Sequence, residues 1–92
     1  MAKVIVTLRI MPESSDINLD ELSKECIEEI DKFTNGTEIK QEIEPVAFGL
    51  KAIKIIFVMD ENLGSTEDLE NNISNLNGVS SVQVIDVRRA IG

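Results

Sequence analysis

The residues able to do chemistry in this chain are few. It has no histidine, and Cys26 is its single cysteine, so an imidazole general base and a thiolate-imidazole pair are both missing. A transition-metal site lacks its usual nitrogen and sulfur ligands for the same reason, and no metal or cofactor is expected. What remains is the chemistry of recognition. Phe48, Gly49, Leu50 and Lys51 set an aromatic ring, a permissive backbone and a cation side by side, and Arg88 and Arg89 add two guanidiniums late in the chain. Exposed groups of this kind dock a partner bearing acidic or phosphate groups rather than transform a substrate.

The stretch Pro45-Val-Ala-Phe-Gly-Leu-Lys51 reads as a shaped loop, because proline fixes its own φ and glycine admits backbone geometry closed to other residues. Phe48 within it has two readings. It tucks under the loop as a satellite of the core, or it stands out as the anchor of an interface.

Around these residues the chain alternates strand and helix patterns. In Lys3 to Met11, Val4, Val6, Leu8 and Ile10 share one face, which predicts a strand with an apolar inner side. Asn18 is a helix N-cap with Glu21 at the third helical position, and Ile17 and Leu22 are spaced as a hydrophobic staple. Leu19, Leu22, Cys26, Ile30 and Phe33 then form an apolar stripe that Asn35-Gly36 ends. Cys26 lies on that stripe as a small core residue.

Thr37 to Glu44, with only Ile39 and Ile43 apolar, predicts an edge strand. Ala52 to Met59 predicts a central one, with Ile53, Ile55, Phe57 and Met59 on one face. Ser65-Thr66-Glu67-Asp68 begins a second helix whose stripe is Leu69, Ile73 and Leu76, ended by Asn77-Gly78. The last strand, Val79 to Arg88, has an ambiguous phase: Val82 and Val84 face inward, or Ile85 and Val87 do.

This order, βαββαβ, folds most simply as an α+β two-layer sandwich of the ferredoxin-like kind, with a four-stranded antiparallel sheet whose first and third strands are central. In that arrangement one sheet edge is expected to gather Lys3, Phe48, Gly49, Lys51, Arg88 and Arg89. The first helix would hold most of the acidic charge.

At 92 residues, residues 1–92 are read as a single domain. The net charge of −8 opposes generic binding to nucleic acid, and Phe33, Phe48 and Phe57 are too few for base stacking. A lone cysteine suits a reducing compartment, no targeting signal is read before the first strand, and the longest apolar run is too short to span a membrane. The expected location is the cytoplasm.

Four segments carry a family resemblance: Met11-Pro-Glu-Ser-Ser15, Pro45-Val-Ala-Phe-Gly-Leu-Lys-Ala-Ile-Lys54, Gly78-Val-Ser-Ser-Val82 and Asp86-Val-Arg-Arg89. Across essentially its whole length the chain resembles translation elongation factor 1-beta in its short archaeal form. The resemblance implies a ferredoxin-like guanine-nucleotide-exchange domain, not an enzyme, that acts on the GTPase elongation factor 1-alpha. It would speed GDP release so that GTP enters and aminoacyl-tRNA can be delivered again.

The resemblance also implies that Phe48, Gly49, Leu50 and Lys51 contact the GTPase, and that the C-terminal tail with Arg88 and Arg89 reaches its magnesium and phosphate region. Eukaryotic members use a lysine near the chain end there. This sequence ends Arg88-Arg89-Ala90-Ile91-Gly92, without one. It also has no Gly-x-x-x-x-Gly-Lys-Ser/Thr loop, so direct nucleotide binding is not expected.

Other classes on the same topology have weaker support. An oligomerising or small-molecule-sensing regulatory domain would use an apolar open sheet face of Ile5, Met11, Ile56 and Val58. An RNA-recognition domain would want aromatics where Ile5, Thr7, Lys54 and Ile56 stand. An acylphosphatase-like enzyme would want a phosphate-cradling loop, and Met11-Pro12-Glu13 is acidic and free of glycine.

Overall fold

The computed structural model describes residues 3–90. Its elements run β1 (Lys3–Pro12), α1 (Leu19–Thr34), β2 (Ile39–Pro45), β3 (Lys51–Asp60), a 3-10 turn (Glu61–Leu63), α2 (Glu67–Ser74) and β4 (Val79–Arg89). The four strands form one antiparallel sheet in the order β2-β3-β1-β4. This is the ferredoxin-like sandwich, with β1 and β3 central and β2 at an edge.

The alternation in β1 and β3 decides which face is buried. Val6, Leu8 and Ile10 meet Phe57, Ile55 and Ile53 rung by rung, all at or below 1% exposure. From the helices, Leu22, Cys26, Ile30, Leu69 and Ile73 close over them. Burying each of the large aliphatic side chains contributes about 1.5–3 kcal/mol, which explains how a chain with one cysteine and no disulfide can hold this fold.

Helix α1 begins as its sequence predicts. Asn18 Oδ1 accepts the backbone N–H groups of Asp20 at 3.0 Å and Glu21 at 3.2 Å, so donors left free by the helix start are satisfied. It ends on Asn35 in the left-handed region, φ 60°, with the Gly36 N–H donating to the Asp31 carbonyl at 3.1 Å. Leu19, Ile27 and Phe33 are only partly buried at the margins of the stripe.

Helix α2 is shorter than its apolar stripe suggests. It ends at Ser74, and Leu76 lies beyond it in a turn, where its N–H donates to the Ile73 carbonyl at 3.0 Å and its carbonyl accepts from Val79 at 3.3 Å. Thr66 does not cap the backbone: its hydroxyl donates to the Glu70 carboxylate at 2.9 Å.

The last strand resolves its two phases by using both. Leu8 faces Val84 and Thr7 faces Asp86, so Ile85 is an extra residue in a β-bulge. Before the bulge Val82 and Val84 lie on the helix side. After it Val87 does, opposite Val6, yet it is 57% exposed near the strand end, and Ile85 is 43% exposed.

Candidate docking site

The loop between β2 and β3 is a tight hairpin. The Leu50 N–H donates to the Ala47 carbonyl at 2.9 Å, and the Val46 N–H to the Leu50 carbonyl at 3.0 Å. Phe48 and Gly49, the two central residues, have φ 53° and 76°, the paired positive values of a type I′ turn. Glycine adopts this geometry freely, whereas a residue with a Cβ loses about 1–2 kcal/mol. Phe48 accepts that strain and is 100% exposed. The satellite-of-the-core reading of this ring is therefore excluded. Val46 beside it is 46% exposed, so the hairpin tip presents apolar surface on a strained, hydrogen-bonded support.

Lys51 opens β3 opposite Pro45 and is exposed. Near it, Ser14, Ser15 and Ile17 from the β1-α1 link, together with Pro12, Leu19, Gly49 and Lys51, line a concavity of about 210 Å³. The neighbouring Glu13 is tied down on the other side: its N–H donates to the Gly78 carbonyl at 2.8 Å, and its Oε1 accepts the Gly78 N–H at 3.1 Å.

Arg88 and Arg89 are at the other end of the sheet. β1 and β3 are antiparallel with Lys3 opposite Asp60 and Ile10 opposite Ile53, which puts the β2-β3 hairpin at the finish of β1. Arg89 pairs with Val4, at its start. At about 3.3 Å per residue, the two groups stand roughly 26 Å apart. The expected gathering of Lys3, Phe48, Gly49, Lys51, Arg88 and Arg89 at one edge is thus corrected. Phe48, Gly49, Leu50 and Lys51 share one end, and Lys3, Arg88 and Arg89 share the opposite one.

Nor are those arginines bare charge. Arg88 Nε lies 2.9 Å from Asp86, and Arg89 Nη2 lies 3.2 Å from Glu61. Both are well exposed, so water screens these contacts and each contributes little to stability. Asp86 and Arg88, two residues apart on one strand, are a spacing that the sequence displays. Glu61 sits in a 3-10 turn that no sequence pattern announced. Ile91 and Gly92, the end of the tail implied by the resemblance, lie outside the described residues.

The acidic charge concentrates on the helices, where α1 carries Asp20, Glu21, Glu25, Glu28, Glu29 and Asp31 against Lys24 and Lys32. Cys26 is fully buried, and burial first, then Glu25 and Glu29, pushes its thiol up to about 12. It is a core residue and no nucleophile. On the open face of the sheet Ile5, Met11, Ile56 and Val58 are only partly exposed. There Arg9 reaches past β3 to Glu44 on β2, 2.8 Å away, and breaks that surface with an ion pair. Among the described residues no cluster of His, Cys, Asp and Glu is arranged to hold a metal ion, and no helix is long and apolar enough to cross a membrane.

Comparison with known proteins bears directly on this hairpin-and-sheet arrangement. Residues 5–90 match the family model of the EF-1 guanine nucleotide exchange domain. The chain belongs to the elongation factor 1-beta family. An elongation factor 1-beta of Methanothermobacter thermautotrophicus is 43% identical over 90 residues, covering 97% of this chain and 98% of that protein. One from Staphylothermus marinus is 46% identical over 91 residues, with the same coverage. Among solved structures, the de novo designed protein Foldit4 superposes with a TM-score of 0.64 over 98% of both chains at 22% identity, a likeness of fold alone. Elongation factor 1-beta membership gives this chain a nucleotide-exchange role in translation elongation.

Proposed function

We propose that the chain is the exchange factor for the GTPase elongation factor 1-alpha, promoting replacement of GDP by GTP so that aminoacyl-tRNA delivery can resume in the cytoplasm. The observation that carries this reading is Phe48, a fully exposed aromatic held at positive φ on a hydrogen-bonded hairpin tip. A fold that accepts strain to display a ring in water invests in a contact made elsewhere, and aromatics so placed carry a large share of interface energy. Family membership supports this choice of partner.

The work is done by binding and not by bond making. A factor that binds the nucleotide-free GTPase more tightly than the GDP-bound form weakens GDP affinity by the same ratio, because coupling between sites is reciprocal. The nucleotide stays on the partner, and the chain alone binds neither GDP nor GTP. Phe48, Gly49, Leu50 and Lys51 form one contact and Arg88 and Arg89 another. With about 26 Å between them, the GTPase is engaged along the length of the sheet.

Stopped-flow release of a fluorescent GDP analogue from elongation factor 1-alpha tests this. Release should accelerate with added chain and saturate. An unchanged release rate at high chain concentration, or micromolar binding of GDP by the chain itself in calorimetry, would overturn the proposal.

A further inference from the structure

The concavity beside the Phe48 hairpin has a composition unusual for this protein. Its lining includes Ser14, Ser15 and Lys51 and no aspartate or glutamate, although the chain has 17 acidic residues and nine basic ones. Three other concavities each include a glutamate: Glu38 beneath β2, Glu21 and Glu25 beside α1, and Glu61 at the far end of the sheet. No salt bridge among the described residues includes Lys51, in contrast to Arg9, Lys32, Arg88 and Arg89.

Three features fix the character of this hollow. Gly49 forms part of its wall, and apart from its chain neighbours no atom lies within 4 Å of where a Cβ would stand, so that stretch of wall faces open space. Glu13, next to the lining residues Pro12 and Ser14, is held by Gly78 instead of Lys51, and Asp16, between the lining residues Ser15 and Ile17, is exposed and not part of the lining. Leu19, at the start of the 16-residue helix α1, is also in the lining; the first turn of that helix carries Asp20 and Glu21, so the positive charge of the hollow is that of Lys51 alone.

We propose that this concavity receives a single carboxylate side chain of the GTPase partner, set next to the apolar surface that takes Phe48; this rests on the exchange reading above. Lys51 supplies the charge, and Ser14 and Ser15 supply hydroxyl donors. A carboxylate is the occupant that fits. At about 210 Å³ the hollow is below the usual 300–1,000 Å³ of small-molecule sites. One lysine on a chain of net charge −8 does not hold a polyphosphate or a nucleic-acid backbone. The pairing explains the order of the motif: the ring gives adhesion, and the adjacent buried charge pair rejects partners without an acid at the right distance.

The test uses the full chain with purified, nucleotide-free elongation factor 1-alpha. Lys51→Gln should weaken binding on the order of ten-fold, and Ser14→Ala with Ser15→Ala by about three-fold. Lys40→Gln, on the far side of the sheet, should leave binding unchanged. Zero-length carbodiimide coupling followed by mass spectrometry should join Lys51 to an Asp or Glu of the GTPase. Thermal melts check that each variant is folded.

Wild-type binding with an equally tight Lys51→Gln and no Lys51 cross-link overturns the pocket but leaves exchange standing. A wild-type chain that does not bind the GTPase overturns both. Saturable, sub-millimolar binding of inorganic phosphate at the Ser14 and Ser15 amides by NMR, without the cross-link, replaces the carboxylate with a phosphate.

Discussion

Arg88 and Arg89, neighbours in sequence, stand on opposite faces of the sheet. Arg88 lies across from Ile5 on the open side and pairs with Asp86, whereas Arg89 lies across from Val4 on the helix side and pairs with Glu61. A flat contact on the partner cannot use both equally.

Single charge reversals should separate them. If this end docks near an acidic, metal-binding region of the GTPase, Arg88→Glu with Arg89→Glu slows association strongly, and one of the two single changes accounts for most of the loss. Lys24→Glu with Lys32→Glu on α1 changes net charge equally and should do far less. The rate of complex formation should also fall as salt rises, since exposed charges are screened over about 8 Å at physiological ionic strength. Equal slowing by the helix pair would sink the assignment of this end.

Replacing Phe48 by asparagine separates stability from function. Asparagine suits the first central position of a type I′ turn, so the melting temperature should hold or rise, by up to about 1 kcal/mol of stability. Exchange activity should fall at least ten-fold. A variant that unfolds more easily would show that the ring supports the fold, against its complete exposure.

The sequence made most of this architecture legible because its strongest signals are local. The Val6, Leu8, Ile10 alternation, the Asn18 cap and the Asn35-Gly36 stop depend on neighbours a few residues apart, and all stand as predicted. The phase of β4 was not readable, since a bulge at Ile85 breaks the two-residue period on which such a reading rests. The placement of the docking groups failed although the topology that fixes it was legible. In a βαββαβ sheet with β1 and β3 central and antiparallel, β2 runs the same way as β1, so the β2-β3 hairpin falls at the finish of β1 and the end of β4 at its start. Glu61, the partner of Arg89, was invisible because 28 residues separate the two.

The Cys26 thiol gives a pH signature. Its ordinary value of 9.0 rises to about 12 on folding, so the unfolded chain ionises first as pH climbs. Its contribution is fully present below pH 9.0 and is lost progressively toward about 12. Denaturant midpoints measured across that window should decline more steeply for the wild type than for Cys26→Ala. A thiol reagent at pH 8 should react only as the protein unfolds, and fast labelling of the native chain would contradict the buried placement.

Two glycines provide a matched comparison. Both Gly36 and Gly78 have positive φ, at 89° and 94°, but a Cβ at Gly36 meets nothing, whereas one at Gly78 comes within 3.2 Å of the Ile17 side chain. Gly36→Ala should cost about 1 kcal/mol from backbone strain, and Gly78→Ala should cost roughly 2–4 kcal/mol because crowding is added. Urea denaturation of both variants checks the order, and equal losses would mean that Ile17 moves aside freely.

The bulge in β4 makes Ile85 a spacer whose removal and whose straightening have opposite outcomes. A chain lacking Ile85 could keep every rung on either side of it, Leu8 with Val84 and Thr7 with Asp86. A chain that kept Ile85 but absorbed it into the ladder would slide the strand end by one place, turning the Asp86 carboxylate toward Val6 and exchanging the faces of Arg88 and Arg89. The strand end thus tolerates a deletion where it resists a slip, and the orientation of both arginines is stored in one surplus residue.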